Sequence, residues 1–395
     1  MSFFVIVLIV FLLMFGYIGW RLIVPAAFSL PINILLWSIL FVVMALPFMP
    51  LTLQILGIGS NLASKIARIG YLGFGFFTLL FAIVVFKDLA FILGWAGYKL
   101  IQIVGLGSNS NPGHLVDPAR RQLLTNSINI GVLGVTGSMI GYGMYQARRK
   151  PDIVEVDVPI ANLPAGLDGF RIVQLTDIHV SHTIRRPFIQ IVVDMVNDLK
   201  PDLIAITGDL VDGSVNRHRD DMAPLADLKA AHGSYFVTGN HEYYAGVQQW
   251  LDETNRLGFT NLVNEHKVIE SGDGRLLIGG VTDPGGGQFS RDHISDPRKA
   301  MYGAPDCHAK ILLAHQPKSI YAAARAGFDY VVSGHTHGGQ YFPYHFLVAL
   351  MQPYLSGSHK YKNTRIYVSR GTGYWGPQIR IGARSEITVH RLVTA

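Results

Sequence analysis

Cysteine is nearly absent from this 395-residue chain. Cys307 stands alone, so no intrachain disulfide can form and cysteine usage leaves the redox compartment open. Charge is scarce too: Asp, Glu, Lys and Arg make up 15% of the residues, against about 25% in an ordinary globular domain. The shortage is unevenly placed. Up to Lys150 there are ten Lys and Arg and two acids, Asp88 and Asp117; against totals of 33 and 27 this leaves 23 and 25 from Pro151 onward. The net charge of +6 therefore belongs to the first part and is not a nucleic-acid footprint, so no nucleic-acid binding is expected.

Ser2–Trp20 carries no charge, and neither does Leu22–Ser64. A bilayer span needs about 20 apolar residues, and a charge at its centre costs about 2.5–3.5 kcal/mol. These rules place spans near Phe3–Trp20, Leu30–Met49, Gly70–Leu93 and Ile128–Tyr145. Lys87 and Asp88 interrupt a long apolar run in the third, which reads either as one span with an interfacial tail or as a tight pair. Residues 1–150 are thus a transmembrane helical region of four or five spans, and 151–395 a separate domain. The basic residues flanking the spans divide five against four, which does not orient the chain. Ala119-Arg120-Arg121-Gln122-Leu123-Leu124 ahead of an uncharged span looks like an internal twin-arginine export signal. It points to an integral protein of a bacterial inner or plasma membrane, with its second domain outside the cytoplasm.

From Gly169 the pattern becomes strand, loop, helix, repeated. Apolar runs at Phe170–Leu175, Leu203–Ile206, Tyr235–Val237, Leu276–Val281, Lys310–Leu313 and Tyr330–Val332 read as buried strands. Pro187–Leu199, Ala223–Ala231, Val247–Leu257 and Ser319–Ala326 read as helices between them. Such alternation indicates an α/β fold with a covered sheet.

Ligands in open α/β sheets gather beyond the carboxyl ends of strands. Just past five of these strands lie Asp177 and His179, Asp209, Asn240 and His241, His315, and His335 and His337. A lone histidine is more often a core or surface residue than a ligand, but eight candidates in register on five strands are hard to obtain that way. Imidazole, carboxylate and amide without thiolate suit Mn, Fe, Zn or Co rather than Ca. There are too many donors for one ion and about enough for two divalent ions sharing a bridge. A pair of ions about 3.5–4 Å apart clamps the attacking and leaving oxygens of an in-line displacement and supplies hydroxide near neutral pH. Phosphate esters need such help, being among the slowest bonds to hydrolyse unaided.

The ordered set Asp177-x-His179, Gly208-Asp209, Gly239-Asn240-His241-Glu242, His315 and Gly334-His335-Thr336-His337 resembles the calcineurin-like metallophosphoesterase family, over about Phe170 to Leu392. The membrane-anchored bacterial branch, with transmembrane helices ahead of the enzyme domain, is the nearest likeness. The resemblance implies transmembrane α-helices followed by a four-layer αββα sandwich, two facing sheets with helices outside. It implies that Asp177, His179 and His337 hold one metal, that Asn240, His315 and His335 hold the other, and that Asp209 bridges them. It also implies that His241 is no ligand but orients or protonates the leaving oxygen. Many members carry an arginine after the Gly-Asp motif; here Leu210-Val211-Asp212-Gly213 comes next, so other cations must compensate phosphate charge.

Arg370 and Arg380 flank a glycine-rich stretch, Ser369–Pro377, and are candidate substrate contacts. Asp212 and Glu242 would either orient an imidazole or cap a turn. Thr282 to Pro305 is a long polar loop of the kind that closes over sites. Tyr341–Leu355, apolar and aromatic, reads as a core helix or as a surface that meets lipid headgroups. The expected enzyme is a membrane-anchored dinuclear phosphohydrolase cleaving a phosphoester or pyrophosphate, most readily on a lipid-linked substrate, by attack of a metal-bound hydroxide. The alternatives are a hydrolase of soluble nucleotides or monoesters and a non-catalytic metal-binding receptor.

Overall fold

The computed structural model describes residues 3–49, 60–104 and 117–395. The chain divides into two compact units, Met1–Gly143 and Met144–Ala395. Among the described residues, four helical stretches are long and apolar enough to cross a membrane, judged by length and composition: Val5–Ala26, Leu30–Phe48, Lys65–Ile103 and Pro118–Arg148. They are built on α1 (Phe3–Leu22), α2 (Leu30–Ala45), α3 (Ser60–Ile103) and α4 (Pro118–Arg148). Phe11, Ile18, Phe77, Leu80 and Val84 make a buried centre among them, with Phe11 stacked on Phe74 and Phe77.

The tight-pair alternative for the third span does not hold. The 44 residues of α3 run unbroken through Lys87 and Asp88, about 66 Å at 1.5 Å per residue. A break is unnecessary because the charge is met where it stands. Asp88 accepts from Arg21 Nε at 2.6 Å and Nη2 at 2.5 Å, and from the Tyr17 hydroxyl at 2.5 Å.

The second unit starts with β1 (Asp152–Ile160), β2 (Arg171–Leu175), α5 (Arg186–Asp198), β3 (Leu203–Ile206), α6 (Val215–Met222), β4 (Ser234–Phe236), α7 (Asn240–Ala245), α8 (Val247–Arg256) and β5 (Phe259–Asn261). It continues with β6 (Glu265–Ser271), β7 (Gly274–Gly280), α9 (Pro297–Met301), β8 (Ala309–Leu313), α10 (Ile320–Ala326), β9 (Tyr330–Ser333), α11 (Tyr344–Met351), β10 (Gly357–Tyr361), β11 (Thr364–Val368) and β12 (Glu386–Thr394). They form two six-stranded sheets, ordered β1-β12-β2-β3-β4-β5 and β10-β11-β9-β8-β7-β6.

Side chains alternate across a strand, and here the alternation sorts three cores. Ile172, Leu203 and Ala205 of the first sheet meet Ile278, Ile311 and Val332 of the second in the middle layer. Val173, Ile204 and Ile206 turn the other way, under Ile189, Val192 and Val196 of α5. Leu312 and Val331 turn outward beneath Ala300 of α9 and Ile320 and Ala323 of α10. The order of layers is α, β, β, α.

Two expected elements differ. The helix read at Ala223–Ala231 lies earlier, as α6, with a 3-10 turn at Ala223–Asp227; its polar sequence VNRHRDDM has no apolar stripe to announce it. The core-helix reading of Tyr341–Leu355 is overturned, since α11 buries none of its residues. Phe346, Leu347, Leu350 and Met351 are 58%, 57%, 84% and 80% exposed. The outer face of the second sheet is already filled by α9 and α10, so no apolar layer is left for it.

Candidate metal centre

β2, β3 and β4 are parallel neighbours in one sheet, and β7, β8 and β9 in the other. Parallel neighbours end on the same side, so the residues just past each strand are delivered to one edge. Asp177, His179 and His337 come together there, with one donor atom from each lying within 4.8 Å of the others; Asp209, His315 and His335 form a second such group. The oxygen Asp209 Oδ2 stands 3.1 Å from His315 Nε2 in its own group and 3.8 Å from His179 Nε2 in the other.

The backbone is bent to achieve this. Asp177, His179, Asp209, His335 and His337 all sit at φ between 52° and 73°, a left-handed region that costs a non-glycine residue about 1–3 kcal/mol. Two glycines clear the remaining space. A Cβ at Gly334 would lie 2.2 Å from Asp177 Oδ2, and one at Gly239 would lie 2.2 Å from Asp209 Oδ1.

Hydrogen bonds fix which ring atoms face inward. His179 Nδ1–H donates to Asp212 Oδ1 at 2.8 Å, and His315 Nδ1–H to the Thr207 carbonyl at 2.7 Å. Each ring then presents its Nε2 lone pair to the site. His337 Nε2 is 3.1 Å from the first lone pair and His335 Nδ1 is 3.1 Å from the second. The buried Asn240 Oδ1 has no hydrogen-bond partner in the structure. Donor atoms crowded at such distances need protons or cations among them, and imidazole nitrogens with carboxylate and amide oxygens are a donor set that fits a pair of divalent ions.

The electrostatics agree. Burial, then the neighbouring His315 charge, lowers the affinity of His335 for a proton, down to a pKa of about 3, and burial depresses His337 strongly as well. Both are kept neutral, as metal ligands must be. Burial would also depress His241 and His315, but the Asp209 charge and its neighbours reverse this, lifting His241 to about 9 and His315 well above its usual range, so a proton and a metal ion compete for the His315 Nε2 lone pair. The pocket draws positive charge.

Asp212 and Glu242, ambiguous in the sequence, take different parts. Asp212 Oδ1 accepts from His179 Nδ1 at 2.8 Å and from His241 Nδ1 at 2.6 Å, so one oxygen orients both rings. Glu242 touches no imidazole nitrogen. Its carboxylate accepts from the backbone N–H of Asp209, Leu210 and Gly239 at 3.0, 2.8 and 2.7 Å, tying two donor loops together. Burial, then the Asp209 charge, raises its pKa to about 7.

The two arginines do not behave alike. Arg380 as a substrate contact is corrected: it is 1% exposed, and its donors go to the carbonyls of Gly373, His337, Ala383 and Arg370. Five N–H groups spent on these carbonyls and on His337 Nδ1 leave none for a phosphate. Arg370 is held at Nε by the buried Glu386 at 2.5 Å, with its side chain 31% exposed.

One carboxylate escaped the sequence reading. Asp283 comes after β7 as Asp209 comes after β3, is fully buried, and accepts from Gln316 Nε2 and the Gly285 N–H, both at 2.7 Å. Burial raises its pKa, while the His315 charge opposes. The strand-end rule, applied to Leu276–Val281, would have found it.

The calcineurin-like phosphoesterase profile matches residues 170–339. Among curated relatives, the chain is 39% identical over 269 residues to a transmembrane protein with metallophosphoesterase domain of Danio rerio, covering 64% of this chain and 60% of that protein. It is 38% identical over 284 residues to an uncharacterized metallophosphoesterase of Helicobacter pylori strain J99, covering 70% and 73%. A transmembrane protein with metallophosphoesterase domain of Bos taurus is 36% identical over 284 residues, covering 69% and 63%. The match thus spans less than two thirds of the two vertebrate proteins and nearly three quarters of the bacterial one.

Proposed function

This chain belongs to the calcineurin-like metallophosphoesterase family as a metal-dependent phosphoric ester hydrolase, and from that premise we propose a membrane-anchored, dinuclear enzyme that cleaves a lipid-linked phosphoester or pyrophosphate. The observation that carries the dinuclear reading is Asp209 Oδ2, placed within 4 Å of imidazole nitrogens from both donor groups. Asp177, His179 and His337 would hold one ion and Asn240, His315 and His335 the other, with Asp209 within reach of both. Mn, Fe, Zn and Co all suit these donors. When bound there, such ions would supply Lewis-acid polarisation of the phosphoryl group and a nucleophile available near neutral pH.

The protein's own part is orientation and proton delivery. Asp212 fixes His179 and His241 through their Nδ1 atoms, so His241 presents Nε2 to the site, 3.9 Å from Asp209 Oδ2. A proton held at that Nε2 passes to the leaving oxygen as the phosphorus bond breaks. Glu242 and Arg380 keep the donor loops in place by binding backbone.

The lipid reading is supported by α11, an uncharged helix that begins seven residues past His337 and whose apolar side chains face solvent, and by the four candidate spans. In this reading the enzyme domain lies outside the cytoplasm; a reporter fused after Ala395 tests this, and a cytoplasmic signal overturns it. The functional test incubates Mn²⁺-loaded protein with fractionated lipid extracts, soluble nucleotides and a chromogenic phosphodiester. Phosphate release from a lipid fraction is expected. Cleavage of nucleotides alone overturns the lipid substrate, and no cleavage of any substrate by metal-loaded protein overturns the function.

A further inference from the structure

Two aromatic rings stand beside the candidate acid, and a third packs on one of them. Tyr244, on α7 three residues past His241, lies with its ring centroid 5.4 Å from that imidazole; Trp375 lies 6.1 Å from it on another loop. Phe289, from the loop after Asp283, reaches Tyr244 at 6.0 Å and Tyr243 at 5.5 Å. Single exposed rings are ordinary. Here Tyr244, Phe289 and Trp375 are 68%, 55% and 36% exposed, yet they come from three separate segments.

Their backbones are fixed although their rings are not covered. Trp375 N–H donates to Gln340 Oε1 at 3.0 Å, and Gln340 Nε2 returns a bond to the Trp375 carbonyl at 2.8 Å. Gln340 is buried three residues past His337, so the tryptophan is indexed to the donor strand. The Phe289 loop is anchored by Asp283, and by Tyr243, whose hydroxyl meets His293 Nδ1 at 2.8 Å. Rings held in place without a covering layer are built to receive something.

We infer that Tyr244, Trp375 and Phe289 form a subsite for the leaving group, and that this group carries a planar ring. The inference rests on the phosphohydrolase reading, in which His241 protonates the leaving oxygen; the departing group must then lie beside His241, among these rings. Their character sets the chemistry. All three offer π-faces, whereas the exposed side of α11 is largely aliphatic (Leu347, Leu350, Met351, with Phe346) and suits chains better than planes. Stacking on aromatic side chains is tolerant of which ring is stacked, so a simple aryl group and a nucleobase share this chemistry.

Calorimetry on full-length, Mn²⁺-loaded protein in detergent, with phosphomonoesters (the groups a pyrophosphate substrate would release) as ligands, tests this without requiring turnover. Phenyl phosphate is compared with cyclohexyl phosphate, and a nucleoside monophosphate with ribose phosphate. The planar member of at least one pair is expected to bind about tenfold tighter; the pair showing the larger ratio separates aryl from nucleobase. Trp375→Ala and Tyr244→Ala are expected to bring that ratio near one, and Trp375→Phe to keep most of it. Ratios near one in the wild type, or ratios unchanged in both alanine variants, overturn the subsite. Cleavage of a chromogenic phosphodiester is scored in parallel: turnover with no ring preference breaks this inference alone, whereas absent turnover breaks the reading beneath it.

Discussion

Asp88 and Asp209 are both carboxylates held away from water, one in the helical unit and one in the sheet unit, and their partners differ in kind. Asp88 is matched by the Arg21 fork, the Tyr17 hydroxyl and Lys87 at 3.5 Å, all of them donors. Around Asp209 Oδ2 stand the Nε2 atoms of His315 and His179, each turned to the site because its Nδ1–H is engaged elsewhere. The first cluster is complete as it stands. The second gathers ring nitrogens around a carboxylate with no fixed cation of its own, and that contrast separates a structural ion pair from a candidate metal site better than carboxylate burial does.

Breaking each cluster should therefore give opposite signatures. The largest effect is expected from Asp209→Asn, which removes the shared charge: turnover of a chromogenic phosphodiester should fall by about 10³-fold or more, with loss of bound metal by elemental analysis. Metal content staying at wild-type level would contradict the bridging role. Arg21→Ala should leave metal content and turnover unchanged and destabilise the helical unit by about 1–3 kcal/mol, because Asp88 loses its two-pronged donor while Tyr17 and Lys87 remain. Replacing both Arg21 and Asp88 with apolar residues of similar volume should recover most of that loss in thermal unfolding. A double variant no more stable than the single would show that the pair is not self-sufficient.

Smaller effects sharpen the picture within the sheet unit. His241→Ala should keep both metals and slow turnover by about 10²-fold. Asp212→Asn should cost about 10–100-fold, since one oxygen orients His179 as well as His241. Equal metal loss in the two variants would contradict their separate roles. The smallest change is expected from Leu350→Ser with Met351→Ser on α11, a several-fold rise in KM for a micellar lipid phosphate relative to a soluble diester. No change in that ratio would remove α11 from substrate recognition.

Much of this was legible in the sequence, for a physical reason. A buried parallel strand is an apolar run with an abrupt end, and the residues beyond that end lie at the edge of the sheet; Asp177, Asp209, His315 and His335 are all visible that way. Two glycine motifs marked the close approaches at Gly239 and Gly334. Contacts between distant segments were not legible. Whether Asp212 orients a ring or caps a turn depends on where His179 and His241 bring their Nδ1 atoms. Arg380 resembled a phosphate ligand because a sequence shows a guanidinium but not the four carbonyls that surround it. For α11, composition announced an apolar helix, while its exposure depends on α9 and α10 having already filled the outer face of the second sheet. The aromatic rim was hidden for the same reason, its three members lying some 45 and 86 positions apart along the chain.

Everything proposed for the sheet unit depends on a pair of cations shared by Asp209. Anomalous diffraction from Mn²⁺-soaked crystals tests it most directly. The expected result is two peaks about 3.5–4 Å apart, with Asp209 Oδ2 bonded to both; a single peak, or two with Asp209 bonded to one of them only, would contradict it.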